Sequence, residues 1–392
     1  MNRALTAPSP SPGDSRMTKS ISTPLFKVFQ PEGVDAALRE TLYSGFIAEG
    51  QKTAEFGRLV ADFIGNPRTV VMNSCTTAIT IAYRLAGVGP GTEVISTALT
   101  CVASNEPILQ LGAVPVWADV DPATGMVTAG TVAPLINART RAILVLHKEG
   151  DPARLAEILE LAQRHNVKVV EDAAHAFGAR YRGGKIGSRG DFACFSFQAI
   201  KHITTGDGGA LTCGSEQDYL RARRLKWFGV DRNARRGESS LENDARDLQD
   251  EAVEWGYKGN MNDIAATIGI EQMKHVDRVL EAFHGNGIAY SRLLAGTPGL
   301  SLVPRSTEDY GTYWAYCLLA ENRGGLIRKL AEHGVAAGQI HARNDTYRMF
   351  RESRRDLPGV DHFAARELCI RCGWWVSRDE RERIASVIKS GW

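Results

Sequence analysis

No apolar run in the 392 residues approaches the roughly 20 that a membrane-spanning helix needs. Charge of one sign is also missing, since 47 basic residues face 45 acidic ones for a net charge of +2. That balance gives no electrostatic reason to expect nucleic acid, and no helix-turn-helix pattern or basic arm points to a regulator. The basic clusters at 221–224 and 351–355 read as solvated faces. The seven cysteines are odd in number and scattered, which excludes a disulfide framework and fits reduced thiols. Cys369 and Cys372 form a lone C-x-x-C with no second ligand pair at zinc spacing, so no metal is expected. The first sixteen residues hold Pro8, Pro10, Pro12 and several serines but no apolar segment. They read as part of a disordered tail over 1–20 rather than a secretion signal, and the expectation is a cytoplasmic protein.

What is present is ordinary for a globular enzyme: 43% hydrophobic and 23% charged residues, in a chain long enough for two domains. Helices are expected over 34–41 and 51–64. From residue 69 onward strands and helices alternate. Strands are expected at 69–72, 93–96, 114–118, 142–146, 167–170, 193–197 and 210–213, and helices at 77–86, 104–111, 152–165 and 217–228. The fold class is therefore α/β, with a mostly parallel central sheet covered by helices. The charged stretch 232–254 reads as a surface excursion, and 262–282 as one long helix. Beyond it, a strand at 314–319 and helices at 325–333 and 377–389 suit a smaller α+β domain. The expected division is a large domain over 21–290 and a small one over 291–392.

One stretch concentrates chemistry: Phe195-Ser196-Phe197-Gln198-Ala199-Ile200-Lys201, followed by the turn Gly206-Asp207-Gly208-Gly209. Lys201 closes an apolar run and is expected to be poorly solvated. Burial lowers an amine's pKa, and a neutral amine attacks an aldehyde. Upstream, the run at 167–170 ends in Glu171-Asp172-Ala173-Ala174-His175. A strand-end carboxylate and an isolated lysine are what a pyridoxal phosphate site requires. The lysine holds the cofactor as a Schiff base, and the carboxylate keeps the pyridine nitrogen protonated. Once displaced, the lysine can shuttle a proton as general base and then acid. Asn73-Ser74-Cys75-Thr76-Thr77-Ala78 marks a strand end and a helix start, with hydroxyls and backbone donors suited to phosphate, and Ser196 adds a hydroxyl. Taken singly, Asp172 also reads as an ordinary strand-end carboxylate, His175 as a structural histidine and Ser74 as a helix cap.

Together these residues resemble the fold-type I pyridoxal phosphate enzymes of the DegT/DnrJ/StrS type, the sugar aminotransferases. The resemblance runs from about residue 44 to 392. It rests on Ser44-Gly45 with Gly50, on residues 74–78, on Thr100-Cys101 and on residues 171–175. It rests also on Ser196-Phe197 with Lys201, on residues 204–209, and on Gly256-Tyr257-Lys258 with Met261-Asn262-Asp263-Ile264. The resemblance implies roles. Lys201 is the Schiff-base lysine, Asp172 the pyridinium partner, and His175 the contact to the ring's phenolic oxygen. Ser74, Cys75, Thr76 and Ser196 form the phosphate cradle. Cys101 stands where many members stack an aromatic ring on the cofactor. Lys258 and Asn260 match a segment that reaches the phosphate of the neighbouring subunit, which implies a homodimer with shared active sites.

The implied reaction takes an amino group from glutamate or glutamine and places it on the keto group of a nucleotide-linked sugar. A diphosphate needs cationic or amide partners, for which Lys226, Arg232, His341, Arg343 and Asn344 are candidates, with Trp227 as a stacking surface. Gly259 stands where many members carry a bulky residue, which suggests a wider pocket. Residues 147–152 are more charged than is usual, which bears on substrate choice. A related dehydratase branch replaces the lysine with histidine, so Lys201 favours amino transfer. Two other functions are compatible with the sequence: amination of a free cyclitol or small ketone, and a catalytically silent cofactor-binding partner of an active paralogue.

Overall fold

The computed structural model describes residues 24–230, 252–306 and 308–392. The expected tail at 1–20 and most of the charged stretch 232–254 lie outside them. Two helices, α1 (Val34–Tyr43) and α2 (Gln51–Ile64), precede a seven-stranded sheet. Its strands are β1 (Thr69–Met72), β2 (Glu93–Thr97), β3 (Val114–Ala118), β4 (Thr140–Leu146), β5 (Lys168–Asp172), β8 (Phe192–Ser196) and β9 (Gly209–Cys213), a short hairpin of β6 (Arg180–Tyr181) and β7 (Gly184–Lys185) intervening. The order is β1-β9-β8-β5-β4-β2-β3, and only β9 runs against the rest.

Alternation along the central strands explains the layers. Ile143, Val145 and Val169 point into one core with Trp117 and Ile158. Their neighbours Ala142, Leu144 and Val170 point into the other, with Ile79 and Ile81. Both faces are apolar because helices cover both, as parallel sheets require. The covering helices are α3 (Cys75–Leu85), α4 (Val102–Gln110), α5 (Ala129–Val132), α6 (Leu155–Arg164) and α7 (Glu216–Leu225).

The long helix expected over 262–282 is two: α8 (Asp263–Met273) and α9 (Val276–Leu294). His275 leaves helical geometry between them (φ −120°, ψ 4°). The break follows from burial on different partners. Ala266 and Ile270 of α8 pack with Phe56 and Val60 of α2, whereas Tyr290 and Leu294 of α9 pack under a second sheet. That sheet is antiparallel, with the order β10 (Leu300–Leu302), β11 (Tyr316–Ala320), β13 (Glu367–Ile370), β12 (Ala337–Gly338). One face carries Leu318, Leu368 and Ile370 against α9, α10 (Arg323–Glu332) and α12 (Arg378–Lys389). The other turns Cys317, Leu319 and Cys369 into the core of the main sheet, beside Phe363 of α11 (Pro358–Arg366). The two sheets thus share apolar contacts instead of hanging on a linker.

Candidate active site

The C-terminal ends of β1, β5 and β8 converge at one edge of the main sheet, the place where open α/β folds gather ligands. In register, Asp172 lies beside Leu146 and Cys194, and Ser196 beside Gly209. A cavity of about 490 Å³ opens there, lined by Ser74, Cys75, Thr76, Cys101, Asp172, His175, Ser196, Lys201 and His341 among others. Eight of these nine are residues expected from the sequence to touch the cofactor. His341 was expected on the substrate side.

Each side chain has a local reason for its place. Ser74 caps α3, its Oγ accepting from Thr77 N at 3.1 Å. The first turn of α3 therefore presents unpaired N–H groups and the helix's positive end to the cavity. A Cβ on Gly209 would meet Cys75 N at 2.4 Å, so only glycine lets β9 pass this close beneath the helix start. Asp172 is 3% exposed. Its Oδ2 accepts from Ser104 Oγ at 2.6 Å, and its Oδ1 accepts from Ala174 N at 3.1 Å. Ser104 Oγ in turn meets Thr100 Oγ1 at 2.9 Å.

Lys201 follows β8 and precedes the 206–209 glycine turn. Burial brings its ammonium down to about 8, although Asp172, Cys75, Cys101 and Glu149 pull the other way. Its Nζ lies 3.8 Å from the centroid of the Trp314 ring. His175 stacks on the same indole at 3.8 Å and 16°, with His341 parallel to it at 5.6 Å. Burial, then Lys201 and His341, hold His175 well below the usual imidazole range. Burial, then Lys148 and Lys201, bring His341 down to about 3. Both rings are neutral near pH 7. Burial, then Asp172, push the Cys75 thiol well above its usual range, so it too is uncharged.

The arrangement fits pyridoxal phosphate. A lowered amine and a hydrogen-bonded carboxylate border one cavity with a helix N-terminus and the Ser74, Thr76 and Ser196 hydroxyls. His175 Nδ1 is buried without a partner in the protein, as a donor or acceptor reserved for a ligand atom would be.

Of the remaining expected residues, those that the structure describes do not line this cavity. Asn344 is fully buried and its amide is spent on the protein. Its Nδ2 donates to Thr100 O at 2.8 Å, and its Oδ1 accepts from Asn105 Nδ2 at 2.7 Å. It fixes the loop against the start of α4 and has no atom left for a nucleotide. Arg343 is engaged by both oxygens of Asp345, at 2.9 and 2.7 Å, and by Asp361. Trp227 lines a separate groove with Glu49, Arg223 and Lys226, and Lys258 Nζ sits 3.5 Å over its ring. Asn260 donates to Met261 O at 3.4 Å and bridges to Met72. Arg232 lies outside the described residues.

The two departures noted in the sequence are structural. A Cβ on Gly259 would stand 2.5 Å from Thr77 Cγ2, so α3 already fills the space that glycine vacates and no wider pocket results. In the 147–152 segment, Lys148 and Glu149 are 3% and 2% exposed and line no part of the cavity. Lys148 bridges Glu149 at 3.2 Å and Glu367 of the second sheet at 2.8 Å. His147 Nδ1 accepts from Ala153 N at 3.1 Å, which leaves Nε2 to donate to Glu171 at 3.0 Å. Residues that the sequence reading left out of the site include Ser104, Trp314, Phe26 and Ile340, all of which line it. Ser104 stands one helical turn after Cys101 and could have been found by that spacing. Trp314, expected as part of a strand, precedes β11 and reaches the cavity only through the packing of the second sheet.

A family model of the DegT/DnrJ/EryC1/StrS aminotransferases matches residues 31–389. The UDP-4-amino-4-deoxy-L-arabinose–oxoglutarate aminotransferase of Shewanella sediminis is 33% identical, over 81% of this chain and 82% of its own. The solved sugar aminotransferase CalS13 of Micromonospora echinospora is 34% identical, with a TM-score of 0.88 over 94% of this chain and 100% of its own. A sugar aminotransferase of Streptococcus pneumoniae, solved in PMP and PLP forms, is 26% and 25% identical. These superpose with TM-scores of 0.86 and 0.85 over 94% of this chain and 98% of theirs. Among the described residues no helix is long and apolar enough to cross a membrane. With Lys201, Asp172 and the α3 cradle meeting in one cavity, the chain belongs to the DegT/DnrJ/EryC1/StrS aminotransferase family.

Proposed function

We propose that this chain is a pyridoxal phosphate-dependent sugar aminotransferase. It moves an amino group from glutamate or glutamine to the keto group of a nucleotide-linked sugar, in the cytoplasm, as a homodimer with shared sites. The observation that carries the reading is Lys201: a lowered amine in a cavity that also holds Asp172 and a phosphate-ready helix start. When bound, the cofactor supplies an aldehyde that exchanges amino groups and a ring that withdraws electrons. The chain's own residues do the rest. The α3 N-terminus with Ser74, Thr76 and Ser196 binds the phosphate. Asp172, fixed by Ser104 and Ala174 N, would pair with the ring nitrogen and favour its protonated form. His175 Nδ1, buried without a protein partner, would be free to meet the phenolic oxygen. Lys201 Nζ, a buried amine with lowered pKa, would hold the aldehyde and, once freed, would serve as the base that accepts and then gives up a proton.

Dimeric, shared sites are supported by two observations. Lys258 and Asn260 lie outside their own chain's cavity. Tyr43 and Phe46, 81% and 79% exposed, offer an apolar surface next to the Gly50 segment. The nucleotide-linked sugar rests on the relatives, which include a UDP-sugar aminotransferase. Purified protein incubated with glutamate or glutamine and a panel of keto-sugar nucleotides, with free cyclitol ketones alongside, tests it. A keto-to-amine mass change on a nucleotide-linked member is expected. A change confined to the free ketones, or none, overturns the substrate.

A further inference from the structure

The cavity has a wall that no expected site residue supplies. Leu25 and Phe26 line it together with Trp314 and Ile340. They belong to residues 24–30, which precede α1 and have no regular secondary structure. Among the described residues, no backbone–backbone hydrogen bond ties this segment to the body. Side chains hold it down instead. Trp375 Nε1 donates to Pro24 O at 3.3 Å, and Gln272 Nε2 donates to Phe29 O at 2.6 Å. Phe29 sets its edge against Trp374 and His275, with Arg278 over its face at 5.6 Å.

Phe26 stacks on Trp314 with centroids 4.5 Å apart and planes 18° from parallel. Trp314 is the hub of the reacting side. It stacks on His175, lies 3.8 Å from Lys201 Nζ, and donates its Nε1 to Ile200 O at 2.7 Å, one residue before that lysine. An indole has one hydrogen bond to set its position and otherwise depends on what presses its faces. We propose that residues 24–30 strap the active site and that Phe26 is a positioning residue, holding Trp314 flat so that His175 and Lys201 keep their places. This rests on the aminotransferase reading but adds a part that the reading does not require. A phenyl ring supplies no hydrogen bond to the ring nitrogen or the phosphate, so cofactor retention is expected to survive its loss.

The experiment compares wild type with Phe26→Ala, Phe26→Leu and Phe26→Tyr. Reacting holoenzyme with glutamate in a single turnover should bleach the cofactor's absorbance roughly tenfold more slowly in Phe26→Ala, the cost of a misplaced reacting group. Phe26→Tyr should restore the rate to within about twofold because it restores the stacking face. Phe26→Leu should not. The second readout uses apoenzyme. Opening the wall to water should move the pH midpoint for cofactor capture by Lys201 upward in Phe26→Ala, since burial is what lowers that amine. Asp172, Cys75, Cys101 and Glu149 are unchanged by the substitution. A Phe26→Ala enzyme with wild-type rate and midpoint overturns the proposal, as does full rescue by leucine. If wild type itself fails to bleach with any amino donor, the aminotransferase reading falls instead.

Discussion

A single side chain, Lys201, links composition to chemistry here. Its position at the end of an apolar run was legible in the sequence, because a buried strand followed by glycines leaves little water around the next residue. Burial lowers the amine to about 8. Below that pH it is an ammonium and cannot attack an aldehyde; above it the free amine can. Capture of pyridoxal phosphate by apoenzyme should therefore rise with pH to a plateau with its midpoint near 8, not near the 10.5 of an exposed lysine. Stopped-flow absorbance across pH 6–10 measures it. Helical spacing from Cys101 could have brought Ser104 to the cavity, but nothing local marks a helical serine as a carboxylate's partner 68 residues away. Its bond to Asp172 is of the charge-assisted kind, each worth about 1.5–3 kcal/mol. Ser104→Ala should bind cofactor normally and slow the glutamate half-reaction by roughly tenfold or more. An unchanged rate would remove Ser104 from the support of Asp172.

Among the elements, those with a clean period were read correctly and those set by tertiary contact were not. The central strands appeared as short apolar runs, and their alternation matched two covered faces. The break at Lys274–His275 was hidden because α8 and α9 are each helical in pattern, and only their different packing partners divide them. The same limit applied to the loop 341–345. Its His-Ala-Arg-Asn-Asp string looked ready for a diphosphate, yet Arg343, Asn344 and Asp345 are consumed by the protein and only His341 reaches the cavity. Gly259 shows how a missing side chain misleads: the vacancy belongs to Thr77. Gly259→Val should create an overlap costing about 1–3 kcal/mol at the α3 start. A lowered Tm with weakened cofactor binding is expected, and a neutral substitution would show that the two segments move apart freely.

For the whole molecule, the decisive feature is a buried ionic contact between the sheets. Lys148, from the C-terminal end of β4, inserts between Glu149 and Glu367 of β13, both nearly inaccessible to solvent. Burial pushes Glu149 up to about 7, with Lys148 opposing. A carboxyl raised in the fold gives its stabilisation at low pH and loses it as pH climbs from about 4.5 through 7. Removing the ammonium in Lys148→Met strands carboxylates in the interior, at a cost of about 3–5 kcal/mol. Denaturant unfolding should show that loss, larger at pH 8 than at pH 5. Pairing Lys148→Met with Glu367→Gln should recover part of it; strictly additive effects would mean that the two groups do not interact. From sequence, these charges bore only on substrate choice, because burial by a second sheet is invisible in a linear string.

On the proposed reading, the two sheets, the helix start and the aromatic hub border one point of covalent attachment, Lys201. Reducing cofactor-loaded protein with borohydride and mapping the pyridoxyl group by peptide mass spectrometry locates that point. The label is expected on the peptide carrying Lys201. A label on another lysine, or none, would contradict the site described.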